Sequence, residues 1–492
     1  MRTAVGQQAK PGSFGLVFGV VSLGIAMVNL DLFVCNVALP TIGRAFHGAD
    51  LANLSWVLNA YAIVFAALLV PAGRLADRMG RRTAFLVGVV VFALSSAWCA
   101  ASVSVWELVA ARVIQAAGGA LLMPASLGLL LAVTSPARRP AAIRGWTAIG
   151  GLAAALGPVI GGLLVELSWH WVFLINLPVA ALTLVVGWRV LPHGHAAAGE
   201  PDPRNEPSPD ILGAGLLTVA VGMLALSLVK ADAWGWGSAR VIGLIAASIA
   251  LLALFWWRSS RHPAPVIEPH LLRLPAFGTA TAAGLIFGMA FGAMLLLVTL
   301  WCQDVWGWSA LRAGLAVAPG PLMVPFLSVG AGPLARRIGP GPVAAAGCAI
   351  YAGGCVFWRL SLQRAPDYPT HMLPGMLMTG VGVGLTLPTL VSAAVSAVPP
   401  QRFSTGSGIV TMARQLGIVL GVALLVTVLG TPTPQAALEA FGRSYVLTAG
   451  LAAAAAIASL LLVLSRRKAA SGSPATAGGS EAVPALLTDL DG

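Results

Sequence analysis

Charged side chains are scarce in this 492-residue sequence: Asp, Glu, Lys and Arg together make up 9% of it, against about 25% in an ordinary soluble protein. A globule of this length in water would lack the polar surface to cover itself, so a soluble fold is excluded. Cysteine is also sparse. The five residues Cys35, Cys99, Cys302, Cys348 and Cys355 form no CxxC pair and sit in or beside apolar runs, where a free thiol behaves as a small buried hydrophobe. The seven histidines fall in loops or at segment ends, and His193 and His195 form an isolated HGH in a hydrophilic stretch, so no metal site is expected. There is no HExxH and no paired intramembrane His/Asp cluster, which argues against an enzyme or receptor embedded in the membrane. No GxxxxGK[ST] loop is present, which argues against ATP hydrolysis within the chain. No cleavable signal peptide is evident, because the first apolar run is too long and carries Asn29 and Asp31.

What the sequence has instead is apolar length. Hydrophobic residues make up 58% of the chain, in unbroken runs rather than the short alternating segments of a barrel. Lipid permits only helices or closed barrels, and the runs select helices. Fourteen segments reach the roughly 20 residues needed to span the hydrocarbon. They lie near 14–38, 53–72, 83–101, 106–130, 141–166, 171–191, 211–230, 240–257, 276–300, 312–332, 341–360, 371–393, 404–429 and 444–465.

The net charge of +12 does not indicate nucleic-acid binding, because the cations lie in short clusters between apolar runs. With the N-terminus inside, the inner loops and tails hold 20 Lys and Arg, the outer loops hold 7, and Arg112 and Arg414 fall within segments. The positive-inside rule therefore predicts cytoplasmic termini. Arginine outnumbers lysine, which occurs only at Lys10, Lys230 and Lys468, in a chain rich in Ala and Gly. That usage is the compositional mark of a GC-rich bacterium and suggests the bacterial inner membrane.

An internal repeat sets the organisation. Gly73-Arg-Leu-Ala-Asp-Arg-Met-Gly80 after the second segment matches Gly332-Pro-Leu-Ala-Arg-Arg-Ile-Gly339 after the tenth at five of eight positions. Parallel six-helix halves are a known transporter architecture, with the substrate at their interface. The predicted division is an N-terminal tail (1–13), a six-helix bundle (14–191), a linker (192–210), two inserted helices (211–257), a linker (258–275), a second six-helix bundle (276–465) and a disordered tail (466–492).

The stretch Gly73-Arg-Leu-Ala-Asp77-Arg78-Met-Gly80-Arg81-Arg82 resembles the signature of the major facilitator superfamily. The resemblance implies a conformational latch made by Gly73, Asp77, Arg78, Gly80, Arg81 and Arg82. On physical grounds, Gly73 and Gly80 would allow a tight turn, and Asp77 would stabilise a helix N-terminus. Three further stretches are similar to the fourteen-helix drug:proton antiporter branch. These are Asp31-Leu-Phe33-Val-Cys-Asn36-Val-Ala-Leu-Pro40, Arg112-Val-Ile-Gln115, and Ala153-Ala-Ala-Leu-Gly157-Pro158-Val-Ile-Gly161-Gly162 followed by Trp169-His170-Trp171-Val-Phe173-Leu-Ile-Asn176. The chain departs from the branch pattern at Phe33 (Thr is usual), Ala116 (Gly), Ala153 (Gly) and His170 (Arg). The resemblance implies an antiporter motif at Gly157, Pro158, Gly161 and Gly162. Independently, Gly157-x-x-x-Gly161 permits close helix approach, and Pro158 bends its helix.

Charges inside membrane helices usually face a cavity and act there. Asp31 and Arg112 lie six or seven residues from the outer ends of their predicted segments, roughly 10 Å deep at ~1.5 Å per residue. The resemblance places both on cavity-lining helices. Burial opposes the charged form of a carboxylate and a neighbouring guanidinium favours it, so an Asp that alternates between those conditions carries protons. A static Asp31–Arg112 packing pair is the competing reading. Asn29, Phe33, Asn36, Gln115, Met123, Arg414 and Gln415 are candidate cavity residues; for Arg414, a carbonyl-satisfied packing role competes. Trp234, Trp236, Trp256, Trp257, Trp306 and Trp308 lie at segment ends and read as interface anchors.

The sequence thus predicts an all-α major facilitator fold: a monomeric, non-enzymatic exporter of a small lipophilic substrate. It would be driven by the proton gradient, without ATP, metal or other cofactor and without nucleic acid, and the insert would be peripheral to transport. A facilitator or importer of a metabolite is the alternative.

Overall fold

The computed structural model describes residues 11–46, 50–135, 138–192, 207–398, 403–433 and 435–471. Most of the N-terminal tail, His193, His195 and the bulk of the linker, and residues 472–492 lie outside them. The N-terminal half comprises α1 (Pro11–Ala45), α2 (Leu51–Met79), α3 (Arg81–Ala101), α4 (Val105–Ala132), α5 (Arg139–Leu167), the short α6 (Trp171–Leu174) and α7 (Asn176–Val190). An inserted hairpin follows, α8 (Ile211–Trp234) and α9 (Ala239–Ser259), then a short α10 (Pro269–Leu272). The C-terminal half comprises α11 (Pro275–Leu300), α12 (Ala310–Val317), α13 (Pro319–Ile338), α14 (Pro340–Ser361), α15 (Leu373–Val395), α16 (Phe403–Leu429) and α17 (Ala437–Ser471). Fourteen spans in these elements are long and apolar enough to cross a membrane. α6 with α7 and α12 with α13 each make one span, and π turns at Trp301–Val305 and Tyr368–Met372 extend the ninth and twelfth.

Local chemistry explains most boundaries. Side-chain caps start helices: Asp50 Oδ1 accepts from Asn53 N at 2.7 Å, Ser104 Oγ from Glu107 N at 3.2 Å, and Asp210 Oδ1 from Gly213 N at 2.8 Å. Proline opens α11, α13 and α14 at the position where its missing N–H costs nothing. Buried hydroxyls return to their own helix, as where Ser95 donates to Val91 O at 2.7 Å and Thr448 to Ser444 O at 2.8 Å, which answers the membrane's demand for internal pairing.

Several boundaries differ from the sequence expectation. The first span does not stop near residue 38; Pro40 lies inside α1, which runs to Ala45, because spanning helices re-satisfy the group that proline frees. α17 continues to Ser471, so 466–471 is helical rather than part of a disordered tail. Gly73 is not in a turn. It lies within α2, where an added Cβ would meet Pro124 of α4 at an ordinary 3.5 Å. The turn belongs to Gly80 alone, at φ +88°, and its repeat mate Gly339 adopts φ +90°. The repeat is therefore conformational as well as textual.

The inserted hairpin is not peripheral in its contacts. α8 packs on both α2 and α16, whereas α9 packs on α8. Arg258 Nε closes the hairpin on Asp210 Oδ1 at 2.7 Å. Trp306 and Trp308 are buried rather than anchored at an interface. Their rings meet at a tilt with centroids 4.7 Å apart, Trp308 lies against Tyr368, and the Trp306 indole donates to Gln363 O at 2.8 Å.

Because the φ values at Gly80 and Gly339 belong to a region nearly exclusive to glycine, Gly80→Ala and Gly339→Ala should each cost about 1–3 kcal/mol. Both should lower the thermal midpoint of the purified protein, whereas Gly73→Ala should leave it nearly unchanged.

Candidate functional site

Asp31, near the middle of the 35-residue α1, is 1% exposed. Its Oδ2 pairs with Arg112 Nη1 of α4, also 1% exposed. Its Oδ1 accepts from Gln115 Nε2 of α4 at 3.0 Å and from Asn176 Nδ2 of α7 at 3.2 Å. Gln115 and Asn176 also converge on Ser96 Oγ of α3, at 2.8 and 3.2 Å. The guanidinium donates to Gln115 Oε1 at 2.6 Å and to Val57 O of α2 at 3.3 Å, and lies over the Tyr61 ring at 4.0 Å. One buried carboxylate thus ties together five helices of the N-terminal half. The shared depth of Asp31 and Arg112 is realised as direct contact, although the end of α1 lies further along than expected.

Between the halves lies a cleft. Asn29, Leu32, Phe33 and Asn36 of α1, Leu58, Asn59 and Ala62 of α2, and Arg112 of α4 line one side. Phe291, Gly292 and Leu295 of α11 and Arg414, Gln415, Ile418 and Val422 of α16 line the other. Of the expected cavity residues, Asn29, Phe33, Asn36, Arg414 and Gln415 are there. Gln115 is not, because it is spent inside the buried network, and Met123 packs against the apolar core of the N-terminal half. Asp31 itself is not among the lining residues, although its helix and its partner Arg112 are. Phe33 meets Phe291 edge-on at 6.3 Å across the cleft, so an apolar contact stands where the branch pattern would put a hydroxyl.

The Gly157–Gly162 stretch has two working faces. Gly157 and Gly161 press against Phe33 and Val34 of α1, where a Cβ at Gly161 would lie 3.1 Å from the Val34 backbone. Gly162 faces the other half, and a Cβ there would meet Leu311 Cα at 2.5 Å and Ala310 O at 2.8 Å. Gly314 of α12 in turn lies against the Pro158 carbonyl. This α5–α12 seam joins the halves at the face bearing Trp169, where Gln303 Nε2 also donates to Val37 O at 2.9 Å.

At the opposite face, Asp77 does not cap a helix. It pairs across Gly80 with Arg81 Nε at 2.8 Å, and Arg81 reaches Gly128 O of α4 at 3.4 Å. Arg82 donates to Trp188 O and lies over that ring at 5.1 Å. Arg78 ends α2. Arg74, which the sequence reading passed over, pairs with Glu268 at 3.2 Å and links α2 to the segment leading into α11. Reasoning from sequence also missed Asn176, Ser96, Asn59 and Tyr61. Asn59 and Asn176, as amides inside long apolar runs, carried a signal of the kind that exposed Asp31.

Because the α5–α12 seam tolerates no side chain at Gly162 or Gly314, Gly314→Leu should part the halves at the Trp169 face. A cysteine placed at Asn36, in a background lacking the native cysteines, should then label several-fold faster with an impermeant maleimide added from that face. Unchanged labelling would mean that the seam is not what closes it.

The Major Facilitator Superfamily profile matches residues 21–422. The tetracenomycin C resistance and export protein of Streptomyces glaucescens is 34% identical over 409 residues, covering 82% of this chain and 74% of the relative. The methylenomycin A resistance protein of Bacillus subtilis is 31% identical over 430 residues, covering 86% and 90%. The cephamycin export protein of Amycolatopsis lactamdurans is 35% identical over 413 residues, covering 83% of each. Among solved structures, a peptide transporter in complex with sulfate superposes with TM-score 0.68 at 18% identity over 94% of this chain and 96% of that one, a likeness of fold. The fourteen spans and these bacterial relatives make this a multi-pass protein of the bacterial inner membrane. With its two six-span halves around a central cleft, the chain belongs to the major facilitator superfamily.

Proposed function

We propose that the chain is a secondary-active exporter that couples proton entry to the efflux of lipophilic small molecules by alternating access. It would work as a monomer, with both termini in the cytoplasm and no cofactor beyond the proton gradient. The observation that carries the reading is the buried Asp31–Arg112 network, which meets a mostly apolar cleft between the halves through Arg112. The resistance and export proteins among its relatives support it.

Arg112 is the link between the two sites. It is the member of the network that also lines the cleft. When Asp31 is ionised, Arg112, Gln115 and Asn176 satisfy its oxygens and hold α1, α4 and α7 in one arrangement. Taking up a proton removes the charge that holds Arg112, leaving the guanidinium to the Val57 carbonyl, Gln115 and the Tyr61 ring. Breaking a buried pair is worth about 3–5 kcal/mol, enough to redistribute two conformations of the half. Opening towards the outside would part the α5–α12 seam; opening towards the cytoplasm would part the Arg74–Glu268 contact.

Asp31→Asn should abolish pH-gradient-driven efflux in proteoliposomes and also destabilise the protein, because Arg112 is left unpaired. The double variant Asp31→Asn/Arg112→Gln, which restores neutrality, should recover thermal stability without recovering pH-driven transport. Recovery of both would sink the proton-carrier role and leave Asp31 as a packing residue.

A further inference from the structure

The two arginines of the cleft differ in what answers them. Arg112 is neutralised by Asp31. Arg414, deep in α16 on the other side, has no carboxylate, carbonyl or hydroxyl partner among the described residues, and no carboxylate lines the cleft. A guanidinium is never deprotonated in proteins, so the cleft holds one uncompensated positive charge. A second donor is also unanswered. Asn59, 1% exposed and part of the lining, has no acceptor for its Nδ2. The neighbouring amides do not share this state: Asn29 and Asn36 donate to Ile25 O at 2.9 Å and Leu32 O at 3.0 Å on their own helix. Buried donors without acceptors are costly and rare, and each calls for an explanation.

We infer that the cleft takes a monoanionic amphiphile, whose acidic group is received by Arg414 and Asn59 and whose ring or chain lies against Phe33, Phe291, Leu295 and Ile418. Both donors need an oxygen acceptor and the charge needs a counter-ion, while the apolar part of the wall lies beside Gln415, the Asp31-paired Arg112, and Asn29 and Asn36, whose amides are spent on their own helix. A cationic substrate would face Arg414 in a site of low dielectric, where like charges repel strongly. The acidic group bridges the halves, between Arg414 of α16 and Asn59 of α2, whereas the coupling proton belongs to Asp31, which is paired with Arg112 and does not line the cleft. This inference rests on the exporter reading for the act of transport, and on the cleft alone for its charge preference.

The test uses three probes with the same ring: 2-naphthoate, its methyl ester and a naphthyl quaternary ammonium. Each is titrated against the purified full-length protein in detergent and offered to energised inside-out vesicles. The wild type should bind the acid about tenfold or more tighter than the ester. Arg414→Gln should erase that margin while leaving the ester's affinity in place, Arg414→Lys should keep part of it, and Asn59→Leu should reduce it less than Arg414→Gln does. Equal binding of acid and ester, tighter binding of the ammonium, a margin that survives Arg414→Gln, or no binding of the acid would each overturn the inference. The vesicles separate this from the broader reading. Export of the ester or ammonium but not the acid would remove the anion preference and leave the exporter standing. Binding of the acid without gradient-driven movement of any probe would remove the exporter reading and leave the anion site.

Discussion

A single carboxylate that water cannot reach organises the N-terminal half. Asp31 could not remain charged in this interior without a counter-charge and hydrogen bonds for both oxygens, and the fold supplies them from separate helices: Arg112 and Gln115 from α4 and Asn176 from α7, with Ser96 of α3 behind and Tyr61 of α2 beneath. The relative positions of these helices are therefore set by polar geometry as well as by apolar packing. In a bilayer, lipid tails compete equally for apolar side chains, so polar contacts and close backbone approach carry more of the specificity.

Close approach is the second device, and α5 shows how one helix serves two partners with it. Gly157 and Gly161 recur at a spacing of four and face α1, while Pro158 and Gly162 face α12 of the other half. Contact within the half fixes α5 to the Asp31 helix, and contact across the seam fixes the closed state of one face. A change in α1 is thereby felt at the seam through backbone, with no long side chain to absorb it.

Much of this was legible in the sequence because the membrane makes strong demands. Fourteen long apolar runs, a charge bias between loops and a repeated loop motif lead to the architecture almost without competitors. Asp31 and Arg112 stood out as charges where charges are expensive, and depth arithmetic brought them together. Legibility failed where the deciding contact was non-local or lay on an uncharged residue. Asn176 sat inside a quoted motif, yet its hydrogen bond to Asp31 crosses 145 positions of sequence. Gln115 and Asn29 look alike as polar residues in apolar helices, but only the fold shows that one is consumed by the network while the other borders the cleft. The first segment reads as ending near residue 38, where its apolar run gives way, but α1 continues through Pro40 to Ala45. Trp306 and Trp308 read as lipid anchors because segment ends normally are, but the π turn at Trp301–Val305 folds them onto the C-terminal half.

The inserted hairpin carries a mechanical consequence. α8 is bonded to both halves at once: Lys230 reaches Asp50 of the N-terminal half at 3.2 Å, and Thr427 of the C-terminal half donates to the Leu228 carbonyl at 2.6 Å. A strut held at both ends survives a relative rotation only where the displacement is small, which is close to the axis of that rotation. In the proposed rocking of the halves, the α2–α8–α16 flank would be the fulcrum, and the long travel would fall to the far flank, where α5 meets α12 and α13. Two helices that touch little of the cleft would in this way decide about which line the molecule turns.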